Sequence, residues 1–214
     1  MPTTRPRRTQ AQRTSQTRVA LLDATLDSLV ESGYKATTTT AVAHRAGVSL
    51  GAVLHHFPTK TDLLVAAIGH ACDRRTAEFR EAIAQVGDAA DRLDAAIDLL
   101  WSIFSGPTYT AFVELWIAAR TDPELAGPLV TVDKEFARAS EELHGELFPA
   151  AVAERGEAAR VGVHLTFALL GGLAMTQMID GYRPYDPASV LTAHRAMIRA
   201  TLDAMRGDHT GEHA

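Results

Sequence analysis

Apolar residues recur at three- and four-residue spacing along most of the 214-residue chain, and no stretch alternates apolar with polar positions long enough to read as a strand. Val19, Leu22, Leu26, Leu29 and Val30 open this periodicity from residue 17 onward, and Gly33 stands where a helix would end on a left-handed residue. Two short helical segments follow at 39–46 and 50–57. Longer ones are expected at about 61–84, 88–105, 109–121, 124–147, 155–180 and 188–206. Gly87, Gly106-Pro107, Asp122-Pro123, Pro149 and the loop GYRPYDP at 181–187 punctuate them. The expected fold class is all-α. Residues 1–17 read as a flexible basic arm, 18–64 as a three-helix helix-turn-helix domain, and 65–214 as a larger helical domain.

The two short segments carry the most specific local chemistry. In the run TTTT at 37–40, β-branching weakens helix, and Thr38 is placed to cap the segment behind it. Gly47 suits a tight turn, Ser49 is the next cap, and Pro58 closes the second segment. Val42, Ala43, Ala46, Val48, Val53 and Phe57 are candidates for a small core. Ser49, Leu50, Gly51, Leu54 and His55 are then left outward. Two helices of about two turns joined this way form a helix-turn-helix pattern, whose second helix enters the DNA major groove.

Each outward residue type has a reading in that setting. Thr38, Thr39 and Ser49 offer short hydroxyls at helix starts, where free N–H groups already favour phosphate, and Lys60 adds a cation for the same backbone. Thr40 and His55 are the polar candidates for base edges, and Leu50 and Leu54 suit thymine methyl groups. Gly51 has no side chain and lets the backbone approach closely. Arg, Asn and Gln, the usual bidentate readers, are missing from this face. The arginine-rich arm and DNA shape would have to supply the rest of the specificity.

Charge supports the same division. Residues 1–60 hold eight Lys or Arg against three acidic residues, while the remainder holds thirteen against twenty-three, so the net charge of −5 conceals +5 followed by −10. A basic module for an anionic partner, joined to a body that avoids it, fits that split. A solvated N-terminal tail fits it too, because five of the eight bases lie in residues 1–18.

The residues Gly33-Tyr34, Thr37-Thr38, Val42-Ala43, AGVSLG at 46–51, His56-Phe57 and Lys60 followed by Leu63-Leu64 resemble the DNA-binding signature of the tetracycline-repressor (TetR) family across residues 18–64. By position, the resemblance implies phosphate contacts for Thr38, Thr39, His56 and Lys60, and base-facing sites at Thr40, Leu50, Gly51 and His55. It further implies about six more helices that bind a small effector and form a homodimer through the last two, near 155–180 and 188–206. One departure stands out. Where the family often has tyrosine this chain has Leu54, so a hydroxyl contact to the DNA backbone is absent.

The second half of the chain offers candidates for the effector. Trp101, Phe104, Phe112 and Trp116 bracket the Gly106-Pro107 turn, and Phe167 and Met175 add apolar lining from a later helix. Glu114, Arg120 and His164 are the candidate polar contacts. Aromatic stripes at helical spacing are more often core, and that reading stays open. Val161-Gly162 and the run 169–174 combine bulk with small residues that let helices approach closely, which suits dimerisation.

Several classes find no support. A nucleophile elbow, a P-loop and a zinc-protease motif are missing from the sequence, so no catalysis and no cofactor are expected. The adjacent His55 and His56 point about 100° apart on a helix and share a metal poorly. Asp94 and Asp98 read as an acidic surface, while His209 and His213 fall in a fraying tail. The lone Cys72 reads as a small buried hydrophobe. Val161 to Ile179 is apolar enough to consider as a membrane span, but its His, Thr, Gln and adjacent glycines favour a buried helix. The expectation is a cytoplasmic regulator that binds double-stranded DNA; the alternative is a helical small-molecule-binding protein or enzyme without an operator.

Overall fold

Every regular element among the described residues is a helix. The computed structural model describes residues 10–86, 89–149, 153, 156–179 and 181–208. In chain order the helices are α1 (Gln10–Ala36), α2 (Thr39–Ala46), α3 (Leu50–His56), α4 (Lys60–Ala84), α5 (Ala89–Phe104), α6 (Pro107–Ala119), α7 (Pro123–Leu147), α8 (Glu157–Met175) and α9 (Pro187–Asp208). The all-α expectation holds, and interior boundaries fall close to those read from caps and breakers. α1 differs: it begins at Gln10, inside the segment expected as a free arm up to residue 17. The first nine residues of that arm lie outside the described residues, as do His209 and His213.

Local chemistry explains the boundaries. Thr38 is extended, and its hydroxyl accepts from the Ala41 N–H at 3.1 Å; Ser49 accepts from Ala52 at 3.2 Å in the same way. These side chains satisfy donors that the first turn leaves free. Between the short helices Gly47 adopts φ 66° and ψ 32°, the left-handed region open to glycine at little cost. Gly33 is more extreme. At φ 73° and ψ 175° it breaks α1 internally instead of ending it, and the helix resumes to Ala36.

The chain divides into two units, residues 1–76 with 106–140, and residues 77–105 with 141–214, the first passing into the second within α4. In the first unit Leu21, Leu22, Leu26 and Leu29 of α1 join Val42 and Ala43 of α2, Val53 of α3, Phe57, and Leu63, Leu64 and Ile68 of α4. Leu21 is buried where the periodicity had suggested Val19, which is exposed. Ala111 and Leu115 of α6 and Leu125 and Leu129 of α7 complete this core. Across the expected limit after residue 64, α6 and the first part of α7 share a core with the helix-turn-helix. Cys72 is partly buried against that core, and burial pushes its thiol up to about 12, so it is inert as a thiolate at neutral pH.

In the second unit Phe79, Ile83, Ala96 and Leu143 form a core flanked by Leu99, Leu100, Ile103 and Leu147. Asp94 and Asp98, expected to be a plain acidic surface, are paired with α9. Arg195 binds Asp98 and lies 3.8 Å from Asp94, and Arg199 also binds Asp94. α8 departs from the buried helix expected of it. Leu170, Gly171, Leu173 and Ala174 are buried, yet only 28% of its most apolar stretch is covered by this chain.

Gly33 and Gly47, both at positive φ, should differ in their tolerance of a side chain. A Cβ at Gly47 would meet nothing within 4 Å, whereas at Gly33 it would lie 3.1 Å from a Glu114 carboxylate oxygen. Gly47→Ala should cost about 1 kcal/mol and Gly33→Ala about 2–3 kcal/mol, because φ 73° with ψ 175° is essentially glycine-only. Urea denaturation of both variants checks the order. Equal losses would contradict it.

Candidate nucleic-acid interface

α3 has only seven residues, too few to persist alone, and its placement comes from what it buries. Val53 is fully buried and Phe57, the residue after α3, nearly so. The Arg18 guanidinium lies 4.6 Å above the Phe57 ring. With that side fixed, Ser49, Leu50, Gly51, Leu54 and His55 are all exposed. A Cβ at Gly51 would meet only the Ser49 hydroxyl, at 3.9 Å, so its backbone is open to a close partner.

Thr38 and Thr40 at the start of α2 are likewise exposed, and Thr39 is half-buried. Arg45 is taken out of any such surface: its guanidinium holds Glu31 with both terminal nitrogens and lies 4.0 Å from Asp27. His56 is half-buried between the His55 and Phe57 rings, at centroid distances of 5.6 and 6.2 Å. Its proton affinity lies below the ordinary histidine range, first because it is desolvated and then because His55 and Arg18 oppose a further positive charge.

Lys60 is placed differently from a free surface cation. Its ammonium donates to the Tyr34 carbonyl at 3.0 Å and sits 4.2 Å from the centre of the Tyr34 ring. Desolvation lowers its pKa, against the opposing pull of Asp122. Around it lies a network the sequence did not disclose. The Tyr34 N–H donates to Glu114 at 3.1 Å, and the Tyr34 hydroxyl donates to Asp122 at 2.8 Å. Asp122 in turn accepts from the Glu124 and Leu125 N–H groups at the start of α7. The Tyr34 hydroxyl bond, ahead of these backbone bonds, holds the Asp122 carboxyl below its usual range; desolvation and the same bond raise the Tyr34 phenol. The glycine that lets α1 turn toward Glu114 was the one available signal.

The predicted effector residues fall in both units. Phe112 and Trp116 belong to the first unit, where Tyr109, Phe112 and Trp116 form consecutive ring contacts at 6.2 and 5.4 Å and Trp116 remains 46% exposed. Trp101, Phe104, Phe167, His164 and Met175 belong to the second. There Phe104 meets Phe167 edge-on at 5.4 Å, Trp101 is half-buried, and Met175 is half-exposed. His164 faces Glu141 at 3.1 Å on the surface, and Glu114 is committed to Tyr34. Arg120 is exposed. An open cleft of about 720 Å³ lies in the first unit, between Arg18 and Leu22 of α1, the end of α3, one face of α4, and Pro128 and Val132 of α7. None of the seven predicted effector side chains lines it.

An exposed second helix, caps on both helices and a glycine-hinged turn are the features of a DNA-reading helix-turn-helix. Residues 21–67 match the model of bacterial regulatory proteins of the tetR family. Over these residues the chain carries the DNA-binding region characteristic of the TetR family. Over 125 residues it is 36% identical to the HTH-type transcriptional regulator Rv2912c of Mycobacterium tuberculosis, covering 58% of this chain and 64% of that one. It is 35% identical over 119 residues to the regulator CymR of Pseudomonas putida, covering 56% of this chain and 59% of the relative. The chain thus spans less than two thirds of the length of these relatives.

Solved structures extend the likeness in fold. A transcriptional regulator from Rhodococcus sp. Rha1 superimposes with a TM-score of 0.65 at 25% identity, over 87% of this chain and 96% of that one. The regulator FadR of Bacillus subtilis, solved with stearoyl-CoA, gives 0.64 at 18% identity over 84% and 96%. These relatives are regulators, not enzymes.

The half-buried position of His56 gives a signed pH dependence. The unfolded chain takes up its proton more readily than the folded one, so stability is retained above the ordinary histidine value of 6.5 and lost as pH falls below it. Urea midpoints measured between about pH 7.5 and 5.5 should fall, and the fall should be smaller in His56→Gln. An identical decline in the variant would remove His56 as a cause.

Proposed function

We propose that this protein is a homodimeric TetR-family transcription regulator, a repressor released from a palindromic operator by a small, largely apolar effector. The supporting observation is the exposed face of α3. Leu50, Gly51, Leu54 and His55 have no place in the domain's own core, while Val53 and Phe57 anchor the opposite side. Thr38, Thr39 and Ser49 contact phosphates at the rim, and Thr40 and His55 read base edges. His56 and Lys60 act at the phosphate backbone from half-buried positions. With one Lys60 donor bond engaged by Tyr34, its ammonium is held in place for that contact and keeps further donors.

The dimer follows from the uncovered face of α8. Val161, Leu165, Ala168, Gly172 and Met175 are all exposed and spaced four, three, four and three residues apart, the 3.5-residue period of a helix packing along another helix. This stripe replaces most of the run 169–174 that the sequence suggested, since Leu170, Gly171, Leu173 and Ala174 face their own unit. α9 adds Ala193, Ala196, Met197 and Ala200, also exposed. A pair brings two copies of α3 to successive turns of one duplex. Burial against a second copy also accounts for the apolar α8 in a cytoplasmic protein without invoking a membrane.

Effector release requires the ligand to favour one dimer geometry over the other, with α4 as the mechanical link because it leaves the helix-turn-helix core and continues into the second unit. The Phe104–Phe167 pair with Trp101, and the stack at Phe112 and Trp116, are the apolar surfaces assigned to the effector, while the exposed Met175 goes to the dimer face.

Two measurements test this reading. Affinity for duplex DNA should fall steeply and linearly on a log–log plot against salt, as phosphate neutralisation requires. A flat response would leave a ligand-binding protein without an operator. Leu165→Arg, at a position 64% exposed in the single chain, should convert the dimer to a monomer in analytical ultracentrifugation and weaken operator binding at least about tenfold. A variant that stays dimeric would move the interface elsewhere.

A further inference from the structure

The recognition face of α3 is unusual in its chemistry. Leu50 is 42% exposed and Leu54 46% exposed, and they lie four residues apart, one above the other on the same side of the helix. Exposed leucines are common singly, but here two of them occupy a helix of seven residues whose buried side is already complete with Val53. Gly51 lies beside them with open space around its Cα, so no neighbouring side chain holds them away from a surface pressed against α3. The polar side chains on that face are Ser49, engaged in capping the helix, and His55. Arg45, the guanidinium of α2, is exposed and paired with Glu31.

In the major groove the apolar group presented by a base pair is the C5-methyl of thymine. We propose that Leu50 and Leu54 form a C5-methyl reader, which selects operator positions by the methyl group itself and not by a hydrogen-bond pattern. Their separation of about 6 Å along the helix axis matches one to two base-pair steps. The same leucine pair accepts 5-methylcytosine, which carries an identical methyl at the same edge of the groove, so binding responds to cytosine methylation at these positions. This inference rests on α3 being the DNA-reading helix.

The test begins with duplexes selected from random DNA by the full-length protein. In a selected duplex each thymine is replaced by uracil, which removes only the methyl group. One or two positions in each half-site should lose about fourfold in affinity, from the burial of a single methyl, and about sixteenfold when both half-sites are changed. Cytosine at such a position should bind weakly and 5-methylcytosine should recover part of the loss. Leu50→Ala or Leu54→Ala should bind the thymine and uracil duplexes alike, with the salt slope of the parent protein retained.

If uracil is accepted everywhere within about 1.5-fold, well below the effect of one buried methyl, the methyl reader is overturned even though the protein binds DNA. The same holds if both leucine variants keep the full thymine preference. Failure to select any duplex, with no salt-dependent binding, is distinct: it removes the DNA-reading role of α3 and this inference with it.

Discussion

The DNA-reading surface depends on one burial event. Seven residues cannot form a stable helix in water, so α3 exists because Val53 and Phe57 are driven into the core made by α1, α2 and α4. That same burial fixes its rotation. Once Val53 faces inward, Leu50, Gly51, Leu54 and His55 must face outward, whatever their own preferences. The cap at Ser49 and the left-handed turn at Gly47 set where the helix starts, but the core decides what it shows.

A second constraint holds the far end of α1. Gly33 turns the chain so that the Tyr34 N–H meets Glu114, and the Tyr34 side chain then bridges Lys60 and Asp122. Asp122 also caps α7, so one carboxylate ties the end of α1 to the start of another helix. These groups are partly exposed and screened, and their contribution is geometric more than energetic. With Ala111, Leu115, Leu125 and Leu129 in the shared core, they join α6 and α7 as far as Ser140 to the unit that carries the helix-turn-helix.

The second unit presents a complementary problem. α8 buries one face against α5 and its neighbours, and Thr166 reaches His194 of α9 at 3.0 Å, but its other face is a stripe of Val161, Leu165 and Met175 with small residues between. The ion pairs of Arg195 and Arg199 with Asp94 and Asp98 hold α9 on α5. What remains uncovered is an apolar stripe of regular spacing, the surface on which the proposed pairing with a second copy rests.

Helix starts, stops and the turn between α2 and α3 were legible in the sequence because they are decided within four residues: Thr38 and Ser49 by their own hydroxyls, Gly47 by its missing side chain, Pro58 by its ring. The outward set on α3 was legible too, since a short amphipathic helix leaves few ways to place Val53 and Phe57. Contacts between distant segments were not. Glu114 and Lys60 carry charges that suit a ligand or a phosphate equally well, and only the packing of α6 and α4 against the end of α1 turned them toward Tyr34. His164 found Glu141, and the predicted aromatic cluster divided between two units, for the same reason. Periodicity tells a helix which face is apolar. Which neighbour covers that face is settled by where the other helices have room to pack.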